Sequence, residues 1–368
     1  MNNIGKLVME AVDQAFRDLG HATVIVAGTS GSGKSTLINT VFRKRMASTG
    51  VGEPVTQGTH TYSHEDMPIT IIDTQGFETG SEGKAVYEDL KVYIEEKNTL
   101  ADPNQHVHLA WLCIGEGSTR VNDTDKNFLA LMDELDVPTV VVITKAMERN
   151  RKFKAEVERL LPTAKNWVWV IAQPYQIPAG DGAFEVAAHG LNDLLDISYR
   201  LIPEGQRTAL VSANRINISQ KLNRSHAVVA ASAATAGGVG AVPIPFSDAA
   251  VLIPTQIAML ASISIIWGLS TDKAFLGTLL AGTLSGSAGT WAGRTAVANF
   301  FKLIPGAGSI VGGTISATTA ALITTVFGEA YVAALHQLLK DDPDRNLSPT
   351  EITQAFKQNL AKQSPLNG

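Results

Sequence analysis

Cysteine is almost missing from this 368-residue chain: Cys113 stands alone, so no internal disulfide can form, and a reducing compartment is expected. Charge is scarce as well, at 18% of residues, and the deficit is local. Between Ser225 and Gly328 the only acidic or basic residues are Asp248, Asp272, Lys273, Arg294 and Lys302. No excess of basic residues exists, since 30 Lys and Arg stand against 35 Asp and Glu. A net charge of −5 excludes a large nucleic-acid footprint, and no nucleic-acid partner is expected. The histidines His60, His64, His106 and His108 show no metal-ligand spacing, and no Ser/His/Asp or Cys/His arrangement emerges. The first twenty residues carry acids and no unbroken apolar run, so they do not read as a secretory signal. Ile4, Leu7, Val8, Ala11, Val12, Ala15 and Leu19 instead mark one face of an amphipathic helix, expected to dock on the neighbouring domain.

What is present is a phosphate loop. Gly28 to Thr36 reads GTSGSGKST, which fits G-x-x-x-x-G-K-[ST]. It follows the apolar run Thr23 to Ala27 and opens a helical pattern at 34–45. In that context the backbone N–H groups of Ser30, Gly31, Ser32, Gly33, Lys34, Ser35 and Thr36 can curl around phosphate oxygens. Lys34 reaches the β- and γ-phosphates, the Ser35 hydroxyl suits Mg²⁺, and the helix points its positive end at the anion.

A second motif follows. PITIIDTQG ends an apolar strand on Asp73, with Gly76 three residues on. A carboxylate at that tip can hold Mg²⁺, and the Gly76 N–H can approach a γ-phosphate. Between the motifs lies VGEPVTQGTHTY, where Thr56 is the first choice for a metal-ligating loop hydroxyl and Thr59 the second. The metal set is therefore Ser35, Thr56 and Asp73, and the catalytic pair is Lys34 and Gly76.

Strand-like runs at 23–28, 68–73, 107–114, 137–143 and 167–172 alternate with helical patterns at 34–45, 83–98, 122–136, 151–161 and 184–200. Such alternation predicts an α/β fold, a mostly parallel sheet with helices on both faces, over residues 21–202. These residues resemble an Era-like GTPase of the TRAFAC class, with GTSGSGKST at its phosphate loop, PVTQGT at its switch threonine and DTQG at its usual DTPG; VHLAWLCI followed by Arg120 also resembles the core strand of a bacterial GTPase subgroup with a hydrophobic C-terminal domain. The resemblance implies GTP and Mg²⁺ as ligands, hydrolysis of GTP, and Thr144 and Lys145 beside the base. It also implies a homodimer through this domain as one means of supplying a water-positioning group.

Two positions depart from that pattern. The base motif ends in an acid in the family, whereas VVVITKAM places Met147 there, with Glu148 one residue further on. A thioether cannot accept the guanine N1 and N2 hydrogen bonds, so an ATPase is the alternative reading. Phe77 occupies the place of a water-orienting glutamine, which implies slow hydrolysis. Gln75, Glu78 and Arg120 are the candidate helpers.

After a polar linker at 203–225 the chain becomes an all-α hydrophobic domain over 226–345. The uncharged run 249–269 matches the ~20 residues needed to cross a bilayer, although Pro254, Gln256 and serines oppose insertion. The long stretches 226–246, 274–293 and 303–327 contain the spacings Gly282/Gly286, Gly289/Gly293 and Gly308/Gly312, which suit close helix packing. Two readings stay open: a soluble helical domain, or one that binds membrane lipid and inserts hairpins conditionally. AVPIPFSDAAVLIPTQIAM and the IPGAG at 304–308 resemble an uncharacterised hydrophobic domain attached to bacterial GTPases. Together these imply a cytoplasmic protein, peripheral or conditionally inserted at the inner membrane. A nucleotide-binding scaffold or pore-former with little turnover is a further alternative. Within the tail, 346–368, Ser348, Pro349 and Glu351 form a capping box before an apolar face of Ile352, Ala355, Phe356 and Leu360.

Overall fold

The computed structural model describes residues 3–42, 59–63, 67–74, 81–147, 150–179, 182–239, 248–269, 275, 279 and 317–362. It divides into two compact units, Gly20–Asn217 and a helical unit formed by Met1–Leu19 with Ile218–Gly368.

In the first unit, strands β1 (Ala22–Ala27), β2 (Thr59–Tyr62), β3 (Ile69–Thr74), β4 (Leu109–Gly115), β5 (Thr139–Thr144) and β6 (Asn166–Val170) form one sheet in the order β2-β3-β1-β4-β5-β6. Only β2 runs antiparallel, against β3, and every other pair is parallel. The side-chain period of two sorts each strand between the faces. Val24, Val26, Trp111, Cys113 and Val142 pack toward α2 (Lys34–Val41), α6 (Leu191–Leu201) and α7 (Glu204–Ala213). Ile25, Ala27, Leu112, Ile114 and Ile143 pack toward α3 (Ser81–Asn98), α4 (Asp123–Glu134) and α5 (Arg151–Leu160). Both faces are covered, which is why the central strands read as unbroken apolar runs.

Two expectations are corrected. The helix read at 184–200 begins at Leu191. Before it, β7 (Tyr175–Ala179) and β8 (Gly182–Val186) form a separate antiparallel hairpin, because TYR-x-Ile and Phe-x-Val alternation carries strand rather than helix periodicity. The segment read as a linker at 203–225 is helical. Its α7 buries Ala209, Leu210 and Ala213 in the sheet core, and Asn214 bridges Phe42. Arg215 then closes the end of α2, its Nε donating to the Thr40 carbonyl at 2.8 Å and its backbone N–H to Val41 at 3.1 Å. Phe42 stacks on Trp111 at 5.7 Å, and the Trp111 indole N–H donates to the Ser198 hydroxyl at 3.0 Å.

The helical unit gathers α1 (Asn3–Leu19), α8 (Ile218–Val239), α9 (Asp248–Ile266), α10 (Ala317–Leu339) and α11 (Pro349–Lys362). The N-terminal helix packs against α9, so it groups with the helical unit and not with the sheet that follows it in sequence. Ile257, Leu260 and Ile263 of α9 are fully buried. At Gly328 in α10 an added Cβ would lie 2.6 Å from Val229 and 2.9 Å from Met259, so this position permits close approach of three helices. Two pairs of buried polar groups join its helices: the Ser264 and Tyr331 hydroxyls lie 2.8 Å apart, and the Trp267 indole N–H donates to Ser225 at 3.0 Å, whereas the buried Gln256 amide has no partner among the described residues. Lys221, itself buried, donates from Nζ to the Ile266 carbonyl at 2.8 Å, placing a cation at the negative end of α9. The capping box at Ser348 forms as expected: Glu351 accepts from the Ser348 N–H at 2.9 Å, and Phe356 packs edge-on against Phe327 at 4.8 Å. Among the described residues one stretch, Ala320–Leu339, is long and apolar enough to cross a bilayer, and 56% of it is buried inside the unit. The Gly pairs at 282/286, 289/293 and 308/312 lie outside the described residues.

Candidate functional site

The parallel strands β1 and β3 deliver two chemically distinct groups to one end of the sheet. Beyond β1 the chain turns through Gly28 to Gly33 into α2. Gly28 has φ 141°, and a Cβ there would come within 2.2 Å of the Cys113 carbonyl oxygen. Gly31 and Gly33 also occupy left-handed backbone, at φ 76° and 91°. These conformations turn the loop back on itself and leave the first N–H groups of α2 facing outward.

Lys34 is only 8% exposed, and its ammonium donates to the Gly28 carbonyl at 2.7 Å and the Thr29 carbonyl at 3.2 Å. It is thus held over the loop, ready to exchange carbonyls for phosphate oxygens. Ser35 and Thr36, on the first turn, are exposed, as are Ser30 and Gly31. Ser32 is buried, and its hydroxyl has no hydrogen-bond partner.

Asp73 sits opposite Val26 in the β1–β3 register and opposite His60 in the β2–β3 register. Its side chain is buried, its Oδ1 has no partner, and burial raises its pKa to about 6 against the pull of Lys34 and His60. A buried carboxylate oxygen without a donor is costly unless a cation or donor meets it. That orphaned oxygen, with the open Ser35 hydroxyl, fits a hard divalent ion such as Mg²⁺, which takes one or two carboxylates and completes its shell with phosphate and water.

The end of β5 holds the phosphate loop from the side. Thr144 donates its hydroxyl to the Ser32 carbonyl. Lys145, at φ 52°, donates from Nζ to the Gly31 carbonyl at 2.8 Å. Met147 is 42% exposed at the position where the Era-like pattern carries its acid. Lys34, Ser35, Asp73, Thr144 and Lys145 are therefore brought to one end of the sheet. Thr56, Gly76, Gln75, Phe77, Glu78 and Glu148 lie outside the described residues. Thr59, the second-choice threonine, is buried on β2 opposite Thr74, a strand position and not a loop hydroxyl.

Sequence reasoning passed over Glu116. It lies just beyond β4, is 7% exposed, and accepts from the Asn150 N–H at 2.7 Å. Asn150 in turn caps α5, accepting from Lys152 and Phe153. Glu116 so fixes the far end of the loop that starts at Lys145. The only signal for it was an acid directly after an apolar strand.

Comparison with known proteins places the site in a family context. Residues 23–145 match the family described as 50S ribosome-binding GTPase. Cell division control protein 10 of Saccharomyces cerevisiae is 34% identical over 89 residues, covering 21% of this chain and 28% of that protein. The probable GTP-binding protein EngB of Oenococcus oeni is 25% identical over 162 residues, covering 44% of this chain and 80% of that protein. A solved structure of a probable GTP-binding protein EngB is 18% identical, with a TM-score of 0.34, covering 49% of this chain and 98% of that one. The chain thus spans little more than a quarter of the yeast relative. Sheet order, phosphate loop and the match over residues 23–145 together give the Gly20–Asn217 unit the fold of a P-loop G domain, similar to these GTPases.

Proposed function

We propose that this protein binds Mg²⁺·GTP, hydrolyses it slowly, and uses the nucleotide state to control a helical unit that associates with membrane. The observation that carries the reading is the pairing of Lys34, held over the phosphate loop, with the buried, partnerless Asp73 oxygen on the adjacent strand. Lys34 and the loop N–H groups bind and orient the phosphates and stabilise charge that develops on them. Ser35 and Asp73 hold Mg²⁺, directly or through water, with Thr56 as the third ligand. The ion, when bound, neutralises the β- and γ-oxygens. Gly76 offers its N–H to the γ-phosphate, and Phe77 supplies no water-orienting group, which sets a slow rate. Release of phosphate relaxes the loops around Thr56 and Gly76.

The helical unit is read as peripheral or conditionally inserted at the inner membrane of a cytoplasmic protein. The apolar α10 stretch and the charge-poor half of the chain support that reading. Phosphate release from GTP with Mg²⁺, and liposome flotation with GTP or GDP bound, test it. GTP-dependent flotation supports the coupling. Protein that stays at the bottom with either nucleotide leaves a soluble switch.

A second reading is favoured by Met147. Without a carboxylate there, discrimination between GTP and ATP weakens by the ~1.5–3 kcal/mol of each charged hydrogen bond lost. Parallel titrations with the two nucleotides decide between them.

A further inference from the structure

β6 ends the six-stranded sheet and, among the described strands, pairs only with β5, so its other side is a sheet edge. The chain itself covers one end of that edge. Ile171 and His189 exchange both backbone hydrogen bonds, each 3.0 Å, and then Gly190 turns away at φ 76° to begin α6. Along the rest lies a cavity of about 360 Å³, lined by Lys154 of α5, Trp167 and Trp169 of β6, and Asp193, Ile197 and Arg200 of α6. The lysine ammonium sits over the Trp169 ring at 4.6 Å.

The α6 residues on this groove fall at i, i+3, i+4 and i+7: Asp193, Asp196, Ile197 and Arg200 form one stripe. Acids stand at its N-terminal end, half-buried Ile197 near its middle, and a base at its C-terminal end. Asp193 and Arg200 are exposed, and among the described residues neither makes an ion pair. Such a stripe is complementary to its own antiparallel copy: Arg200 of one chain meets Asp193 of the other, and Ile197 meets Ile197.

We propose that this groove is a homodimer surface, in which β6 pairs antiparallel with β6 of a second copy and the two α6 helices align beside it. The sheet then becomes continuous across a twofold axis, and each charge contact occurs twice. The hairpin inserted between β6 and α6 adds Tyr175, Ile177 and Phe184, three exposed apolar side chains on one face, with Phe184 opposite Ile177. None of the residues lining this groove belongs to the phosphate loop, so the dimer is tested without nucleotide.

Sedimentation equilibrium of the full chain, without nucleotide, tests the proposal. Wild type is expected to dimerise with a Kd on the order of micromolar. Arg200→Asp places acid against acid, Asp193→Arg places base against base, and each raises Kd roughly tenfold or more. The double variant Asp193→Arg/Arg200→Asp re-forms both contacts and returns to within about threefold of wild type. A monomeric wild type overturns the proposal. So does a dimer indifferent to Arg200→Asp, or a double variant no tighter than the singles.

Discussion

Lys145 reaches from the tip of β5 to the phosphate loop, donating from Nζ to the Gly31 carbonyl 2.8 Å away across 114 residues of sequence. With the Thr144 hydroxyl on the Ser32 carbonyl, it ties the end of β5 to the loop after β1. Thr144 and Lys145 therefore act on the loop's shape directly. Lys145→Ala removes a charged hydrogen bond from a loop held in left-handed backbone. Nucleotide affinity is expected to fall about tenfold by calorimetry, with little change in melting temperature because the side chain is exposed.

Asp73 sets stability against function. Burial raises its carboxyl to about 6 and so disfavours the ionised form. Replacing it with asparagine relieves that cost and raises the melting temperature of the nucleotide-free protein by roughly 2–4 °C for each kcal/mol recovered. The same change lowers affinity for Mg²⁺·GTP about a hundredfold, because the charge facing the metal is gone. Thermal scans and titrations on Asp73→Asn should move in opposite directions. A variant that loses both fold and binding contradicts this assignment.

His108 supplies a pH-dependent contribution far along the strands from the phosphate loop. Its Nδ1 accepts from the Thr23 N–H at 2.9 Å and its Nε2 donates to the Pro103 carbonyl at 2.9 Å. Burial holds its pKa down to about 4 from the usual 6.5. The unfolded chain then binds more protons between those values, so stability rises with pH across that window. The contribution is complete above pH 6.5 and shrinks by about 3 kcal/mol as pH falls to 4. Denaturant unfolding of wild type and His108→Gln between pH 4 and 7 checks it, and the variant should show the flatter profile.

The sheet, its helices and the phosphate loop were legible because each rests on local chemistry: apolar runs such as TVIVA, the Asn122 cap, glycines where backbone turns left-handed. The tail was equally legible, since Ser348, Pro349 and Glu351 specify their helix without help from the rest of the fold. What escaped depends on distant partners. Residues 203–217 look polar, yet Leu210 and Asn214 complete α2 and the sheet core through contacts that no local pattern encodes. The hairpin 175–186 resembles a loop because Pro178 and Gly182 interrupt its alternation. In the site, Asp73 and Lys34 were readable from motifs, whereas Glu116 works through a loop 34 residues away.

Leu210 is fully buried, so Leu210→Ala should cost the Gly20–Asn217 unit about 2–5 kcal/mol. A cost below 1 kcal/mol in urea unfolding would contradict its place in the core.

The helical unit depends on its aromatic contacts. Phe356 is fully buried, edge-on to Phe327 at 4.8 Å and Tyr331 at 5.9 Å. Phe356→Ala should cost about 3–5 kcal/mol and release α11 to rapid hydrogen exchange, leaving exchange in the sheet unchanged.

The loop amides, Lys34 and Asp73 together are proposed to form a working phosphate site. Isothermal titration of the full chain with GTP in the presence of Mg²⁺ tests it most directly. A saturable one-site isotherm is predicted, abolished by Lys34→Ala and weakened when Mg²⁺ is chelated. An isotherm without saturation from folded wild-type protein, or one that Lys34→Ala leaves intact, would contradict the claim.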